Sequence, residues 1–274
     1  MKRTLRKSLA ASVLMGGLVL GTGAEATSIW ASDSLSGPGG SVAPAIYELD
    51  STTGAVLSTI TGFSGAGTFA DALSFAPDGQ SIFVLDSSTN ADVRQIDLAG
   101  NVLNSFSVAL DAEGLTILAD GSLIIGGGNS GVVATVDSTT GVVISQFSVS
   151  NNLFGLASDG AGTLFGLTIG GVIESYDLAG NLLGSLSTGV TGTTLGLAYT
   201  GSSFFISATG STISEVALNG SLIRSFAGPA AFTEGLDFPE GIQVPPSGVP
   251  APGTLVLLGL GLAGFGYQKR RKQN

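Results

Sequence analysis

The sequence predicts an all-β protein: a β-propeller of five four-stranded blades, each about 40 residues long. Three observations carry this. A hairpin with an Asp at its turn recurs five times. A second hairpin, with a small residue before a Leu, interleaves with it five times. No helix-period segment occurs between residues 27 and 248.

The first series reads YELDSTTGAVLSTI (47–60), RQIDLAGNVLNSFSV (94–108), ATVDSTTGVVISQFSV (134–149), ESYDLAGNLLGSLS (174–187) and SEVALNGSLIRSFAG (214–228). Each is a strand, a turn, a Gly and a second strand. The turn Asp falls at Asp50, Asp97, Asp137 and Asp177, with Ala217 in the fifth copy, at steps of 47, 40, 40 and 40 residues. An Asp opening a turn accepts hydrogen bonds from backbone N–H groups two residues on. The Gly supplies the positive φ that short hairpin loops need. Calcium at each Asp turn is the functional alternative, but one carboxylate per turn falls short of the roughly six to eight oxygens Ca²⁺ takes.

The second series reads ADALSFAPDGQSIFVLD (70–86), AEGLTILADGSLIIGGG (112–128), LFGLASDGAGTLFGLTI (153–169), TLGLAYTGSSFFISATG (194–210) and TEGLDFPEG (233–241). Ala72, Gly114, Gly155, Gly196 and Gly235 precede the Leu. A small residue suits the innermost strand, where backbones crowd round the axis. Runs such as Ser81 to Leu85 are continuous rather than alternating, as in strands buried on both faces. The two series are out of phase. The chain opens on an outer hairpin, SIWASDS (28–34), and closes on an inner strand, EGLDF (234–238). Pairing the last strand into the first blade closes the ring like a clasp and removes an exposed sheet edge. A six-bladed ring or an open β-solenoid is the alternative, with the 47-residue step as the irregular one.

Both ends read as processing segments. Lys2, Arg3, Arg6 and Lys7 precede the short apolar run Leu9–Leu20, and Ala24-Glu25-Ala26 fits the small-x-small cleavage rule. The expected layout is a signal peptide over 1–26, cut after Ala26, and a propeller body over 27–244. A Pro-rich linker over 245–253 and a hydrophobic helix with a basic cytoplasmic tail over 254–274 follow.

The tail places Val249-Pro250-Ala251-Pro252 before a Gly-rich apolar run (254–267) and the basic cluster Lys269-Arg270-Arg271-Lys272. This order resembles the PEP-CTERM sorting signal of Gram-negative bacteria, whose motif is usually Val-Pro-Glu-Pro; Ala251 stands here in place of the Glu. The resemblance covers about the last 26 residues and implies sorting rather than fold. It implies an exosortase-type processing enzyme as a partner and a transient stop at the inner membrane. A cell-surface or extracellular destination follows, associated with polysaccharide and matrix proteins.

Composition excludes several chemistries. With no Cys and no His, Cys/His zinc sites and Ser-His-Asp or Cys-His catalysis are ruled out. Between residues 27 and 248 only Arg94 and Arg224 remain of the ten Lys and Arg, whereas Glu25 is the one acid of twenty left outside, so this body carries a net charge of −17. Such a surface repels nucleic acid and attracts cations.

Candidate site residues sit just before the small-Leu motif: Asp71, Asp111, Glu113 and Glu234. On a closed ring they share one rim, where carboxylates could bind Ca²⁺ or pair as acid and base. The Glu113-Gly114 and Glu234-Gly235 pairs are similar to a Glu-Gly at the metal site of gluconolactonase-like propellers. The plainer reading is solvated loop charge, with no catalytic residue, metal or cofactor assigned. Gly126-Gly127-Gly128 lacks the Lys and helix start of a phosphate cradle. Trp30, Phe83, Phe154, Phe165 and Phe204 read as blade packing. Two functions remain: a non-enzymatic surface or matrix scaffold, or a secreted metal-dependent propeller hydrolase or lactonase.

Overall fold

Asp-capped turns and glycines organise the chain into hairpins, and a computed structural model shows how they assemble. It describes residues 28–33, 43–64, 69–87, 91–229 and 233–239. The expected signal peptide with Ala24 and Ala26, the sorting motif, the apolar segment and the basic cluster lie outside the described residues.

The first blade combines both ends of the chain. It takes β1 (Ser28–Asp33), β2 (Ala45–Asp50) and β3 (Val56–Ile60) from the start and β20 (Thr233–Asp237) from the end, in the order β20-β1-β2-β3. The second blade runs β4 (Ala72–Phe75), β5 (Ser81–Asp86), β6 (Ala91–Asp97) and β7 (Val102–Val108). The third runs β8 (Gly114–Ile117), β9 (Leu123–Gly127), β10 (Val132–Val136) and β11 (Val143–Ser148). The fourth runs β12 (Leu153–Ser158), β13 (Thr163–Thr168), β14 (Val172–Asp177) and β15 (Leu182–Ser187). The fifth runs β16 (Thr194–Tyr199), β17 (Ser203–Ala208), β18 (Thr212–Ala217) and β19 (Leu222–Ala227). Five blades of four antiparallel strands result, rather than six blades or a solenoid.

The clasp is antiparallel. Trp30 lies opposite Asp237 and Ala31 opposite Leu236, and the Gly235 N–H donates to Ser32 Oγ at 2.8 Å. The long first step is an insertion, not a break in the repeat. Residues 61–71 join β3 to β4, and Phe63 and Ala70 within them are buried in one cluster with Trp30 and Phe75.

The turn chemistry is uniform. Asp50 accepts the N–H groups of Thr52 and Thr53 at 3.0 and 2.7 Å, and Asp97 those of Ala99 and Asn101 at 2.9 and 2.8 Å. Where Ala217 replaces the Asp, Asn219 Oδ1 accepts the Ser221 N–H at 3.0 Å instead. Side-chain hydrogen bonds from Thr53, Asn101, Thr140 and Asn181, joined by the backbone donors, hold Asp50, Asp97, Asp137 and Asp177 below the usual carboxylate range.

Two rings of contacts join the blades. At the axis, a Cβ on Gly114 would lie 2.6 Å from Leu156 Cγ, one on Gly155 2.7 Å from the Leu197 N, and one on Gly235 2.7 Å from the Leu73 N. A Cβ on Gly196 would overlap the Glu234 carbonyl. Each inner strand thus touches the next blade's inner strand, and only Ala72 carries a side chain at that position. The axis is correspondingly full. Among the described residues, two cavities on it measure about 10 and 20 Å³, the larger with room for about one water.

At the rim, the turn glycine of each blade sits against the apolar residue near the end of the previous blade's outer strand. Gly100 faces Ile60, Gly141 Phe106, Gly180 Phe147, Gly220 Leu186 and Gly54 Phe226. Gly126-Gly127-Gly128 has a related cause: a Cβ on Gly127 would overlap the Leu153 carbonyl of the next blade.

The inner strands β4 and β8 are buried throughout, whereas the outer strands are largely exposed. A bulge breaks the register of every outer pairing and turns two consecutive aliphatic side chains outward, such as Val56 with Leu57 and Leu182 with Leu183. Among the expected packing aromatics, Trp30, Phe83 and Phe204 are buried. Phe165 contacts Tyr199 and Phe204 at centroid distances of 4.8 and 5.0 Å, and Phe154 is half-buried against the axial cavity.

Candidate functional site

Antiparallel order sends the connections between blades and the turns between second and third strands to one face of the ring. The four candidate carboxylates lie there. Asp71 ends the 61–71 connection, Asp111 and Glu113 lie between β7 and β8, and Glu234 is the second residue of β20.

Asp71 is buried, and its Oδ2 accepts the Ser87 N–H at 2.8 Å. The Ser87 side chain also hydrogen-bonds Glu113, so one serine joins the two carboxylates. Burial, followed by repulsion from Asp71 and Asp111, pushes the Glu113 carboxyl up to about 7. Asp71 and Asp111 therefore both act on Glu113 between the second and third blades. Glu234 lines the axial cavity together with Asp71. Among the described residues, no three Asp or Glu side chains converge into a group that could hold a metal ion. Chemically, the arrangement offers one carboxyl able to give or take a proton near neutral pH.

At the other end of the axis sits Asp237, which sequence reasoning treated only as a strand residue. Its Oδ2 accepts Ser74 Oγ–H at 3.0 Å and the Phe75 N–H at 2.8 Å. It shares a cavity with Thr116, Ser158 and Tyr199, and burial pushes its carboxyl up to about 6. The available signal was its place in the repeat: Ser74, Thr116, Ala157 and Ala198 occupy the same position in the other inner strands.

Both arginines of the body are engaged within their own blades. Arg94 lies 3.6 Å from Asp86 and Arg224 2.7 Å from Glu215. A phosphate-rich partner would meet a strongly acidic surface and two cations already facing carboxylates.

Comparison with known proteins agrees with this architecture. Two solved structures are similar to the chain. Myxococcus xanthus glutaminyl cyclase is similar at 17% identity and a TM-score of 0.50, over 59% of this chain and 71% of that one. A protein of unknown function from Bacteroides caccae is similar at 13% identity and a TM-score of 0.48, over 73% and 72%. No curated protein matches the chain. Residues 248–272 match the PEP-CTERM protein-sorting motif. That motif implies export, anchoring in the membrane before exosortase cleavage, and then a place at the surface. The chain is a five-bladed β-propeller that carries a PEP-CTERM protein-sorting motif.

Proposed function

We propose that this protein is a non-enzymatic binding module or scaffold of the cell surface or extracellular matrix of a Gram-negative bacterium, associated with its polysaccharide. The observation that carries the reading is the sorting motif joined to a ring whose recurrent aspartates, Asp50, Asp97, Asp137 and Asp177, are engaged by its own turns. His and Cys are absent, and the axis is packed rather than open. In this reading residues 1–26 are removed after Ala26. Val249-Pro250-Ala251-Pro252 mark the site of exosortase processing, and Lys269 to Lys272 hold the precursor on the cytoplasmic side.

Terminal-peptide mass spectrometry on membrane and extracellular fractions tests the sorting part. The expected result is an N-terminus at Thr27 and, outside the cell, a C-terminus within Val249–Pro252. Retention of Lys269–Lys272 in every fraction would replace this reading with a simple anchored propeller. Co-sedimentation with matrix polysaccharide from the same cells tests the binding part.

A second reading is favoured by Glu113. A carboxyl at about 7 beside Asp71 and Asp111 suits acid–base work in a metal-dependent hydrolase or lactonase. Glutaminyl cyclase shows that this fold can carry an enzyme. Melting with and without calcium separates the readings. A calcium-induced rise that disappears in both Glu113→Gln and Glu234→Gln supports the enzyme; no rise removes its metal.

A further inference from the structure

One cleft departs from its counterpart in the repeat: the equivalent cleft between the fourth and fifth blades, where Ser214 stands in place of Glu174, measures about 220 Å³. The larger one lies between the third and fourth blades on the rim-carboxylate face, has a volume of about 490 Å³, and is lined by the connection Ser150-Asn151-Asn152, by Thr168, and by Glu174 on β14. That volume falls in the range of small-ligand sites.

Glu174 is the residue to account for. It is only 7% exposed, yet it carries a carboxylate where the equivalent strands have Tyr47, Arg94, Ala134 and Ser214. Its Oε2 accepts the Tyr176 hydroxyl at 2.5 Å, and its Oε1 accepts Asn151 Nδ2 at 2.6 Å. Tyr176 is itself an exception, since Leu49, Ile96, Val136 and Val216 hold its place elsewhere. A buried carboxylate is costly unless fully hydrogen-bonded, and an aliphatic pair of similar volume would stabilise the blade at least as well. What this pair achieves is orientation: Tyr176 anchors Glu174, and Glu174 fixes which way the Asn151 amide faces, leaving Asn151 Oδ1 as an acceptor.

We propose that this cleft binds a neutral saccharide unit, with Asn151 and Asn152 contacting its hydroxyls and Glu174 positioning Asn151. The inference deepens the matrix-binding reading and rests on it for the source of the saccharide. The chemistry of the lining selects this class. An amide side chain offers both a donor and an acceptor, which matches a pair of adjacent hydroxyls. No cation lines the cleft, and its one carboxylate disfavours an anionic ligand. Apolar ligands are disfavoured by the amides and hydroxyls, although Ile169 beside them is 49% exposed and gives a sugar's C–H face one contact. A peptide would be expected to seek an open strand edge, and none lines this cleft. Without an aromatic platform each unit binds weakly, and several units along a polymer bind together through many copies of the protein.

The test is calorimetric titration of the full chain in detergent micelles with maltotriose, cellotriose and mannotriose, and with trialanine as the peptide probe. At least one trisaccharide is expected to bind saturably. Asn151→Ala should weaken it about tenfold, the loss of one good hydrogen-bonding group. Glu174→Gln should weaken it as well, since its amide cannot accept from both Asn151 and Tyr176. Asn151→Ala should still melt cooperatively, at a somewhat lower temperature because Glu174 Oε1 loses its donor, and Thr139→Ala on the opposite face should bind normally. No saturable trisaccharide binding, binding unaffected by both Asn151→Ala and Glu174→Gln, or binding of trialanine alone would overturn the proposal. Co-sedimentation with matrix polysaccharide separates the two levels. If Asn151→Ala co-sediments as fully as the unsubstituted chain across a dilution series, the cleft assignment fails and matrix binding stands. If the unsubstituted chain binds a trisaccharide but not the matrix, the cleft stands and the matrix reading fails.

Discussion

Phe226, near the end of the last outer strand, packs directly against Gly54 in the first hairpin turn. A Cβ on Gly54 would overlap the Phe226 ring and lie 2.7 Å from the Ala227 carbonyl. Residues near opposite ends of the chain thus meet at the rim, as Asp237 and Trp30 meet at the clasp. The ring is closed twice, once inside and once outside.

This contact separates two reasons for a glycine. Gly54 and Gly210 both hold positive φ, +74° and +89°, but a Cβ on Gly210 meets nothing within 4 Å. Gly210→Ala should therefore cost only the backbone strain, about 1–2 kcal/mol. Gly54→Ala should add overpacking of about 1–3 kcal/mol more. Urea unfolding of the two variants measures the difference. Equal losses would mean that Phe226 moves aside freely.

The inner ring should be less forgiving. Gly196→Ala places a methyl on the Glu234 carbonyl, which is backbone and cannot rotate away. The expected outcome is loss of the cooperative melt and aggregated material on size exclusion. Ala72→Gly, at the one ring position that already holds a methyl, should lose only about 1 kcal/mol.

Removing β20 should open the ring. A chain ending at residue 232 leaves the first blade with three strands and exposes β1, whose six residues are all buried. Such an edge templates pairing with another chain. Light scattering should report oligomers that the complete chain does not form.

Stability should fall as pH rises through the mildly acidic range. Glu113 and Asp237 have folded values raised to about 7 and about 6. Folded protein therefore keeps protons there that the unfolded chain releases near pH 4, and stability declines between about pH 4 and 7. The turn aspartates act oppositely. Their lowered values contribute stability above the unfolded value, and it is lost as pH falls below it. The melting temperature should thus peak near pH 4–5. Asp237→Asn should flatten the decline between about pH 4 and 6, a term of about 3 kcal/mol at most. A profile identical to that of the unsubstituted chain would show that Asp237 stays ionised in the fold.

Much of the fold was legible because its determinants are local. The Asp50, Asp97, Asp137 and Asp177 turns bond to groups two to four residues away, so their period shows in the chain as it does in the ring. The phase offset between outer and inner hairpins, read from SIWASDS and EGLDF, already pointed to a clasp. The rim carboxylates were found by the same periodicity, since they precede a recurrent motif.

What the repeat could not disclose lies between blades or departs from the pattern. The proton affinity of Glu113 depends on Asp71 and Asp111 approaching it in a half-buried setting. The Asn151–Glu174–Tyr176 chain joins a connection to a strand more than twenty residues on. The glycine at 54 looked like turn chemistry, but it is also required by a neighbouring blade's ring and backbone, and Gly127 is required by the Leu153 carbonyl. Sequence alone therefore determined the repeat, the turn chemistry, the strand phase and the sorting motif, because each arises from residues close together along the chain. The contacts that close the rings, tune the carboxylates and shape the cleft required the folded molecule, because distance through space and exclusion of water arise only when separate blades pack.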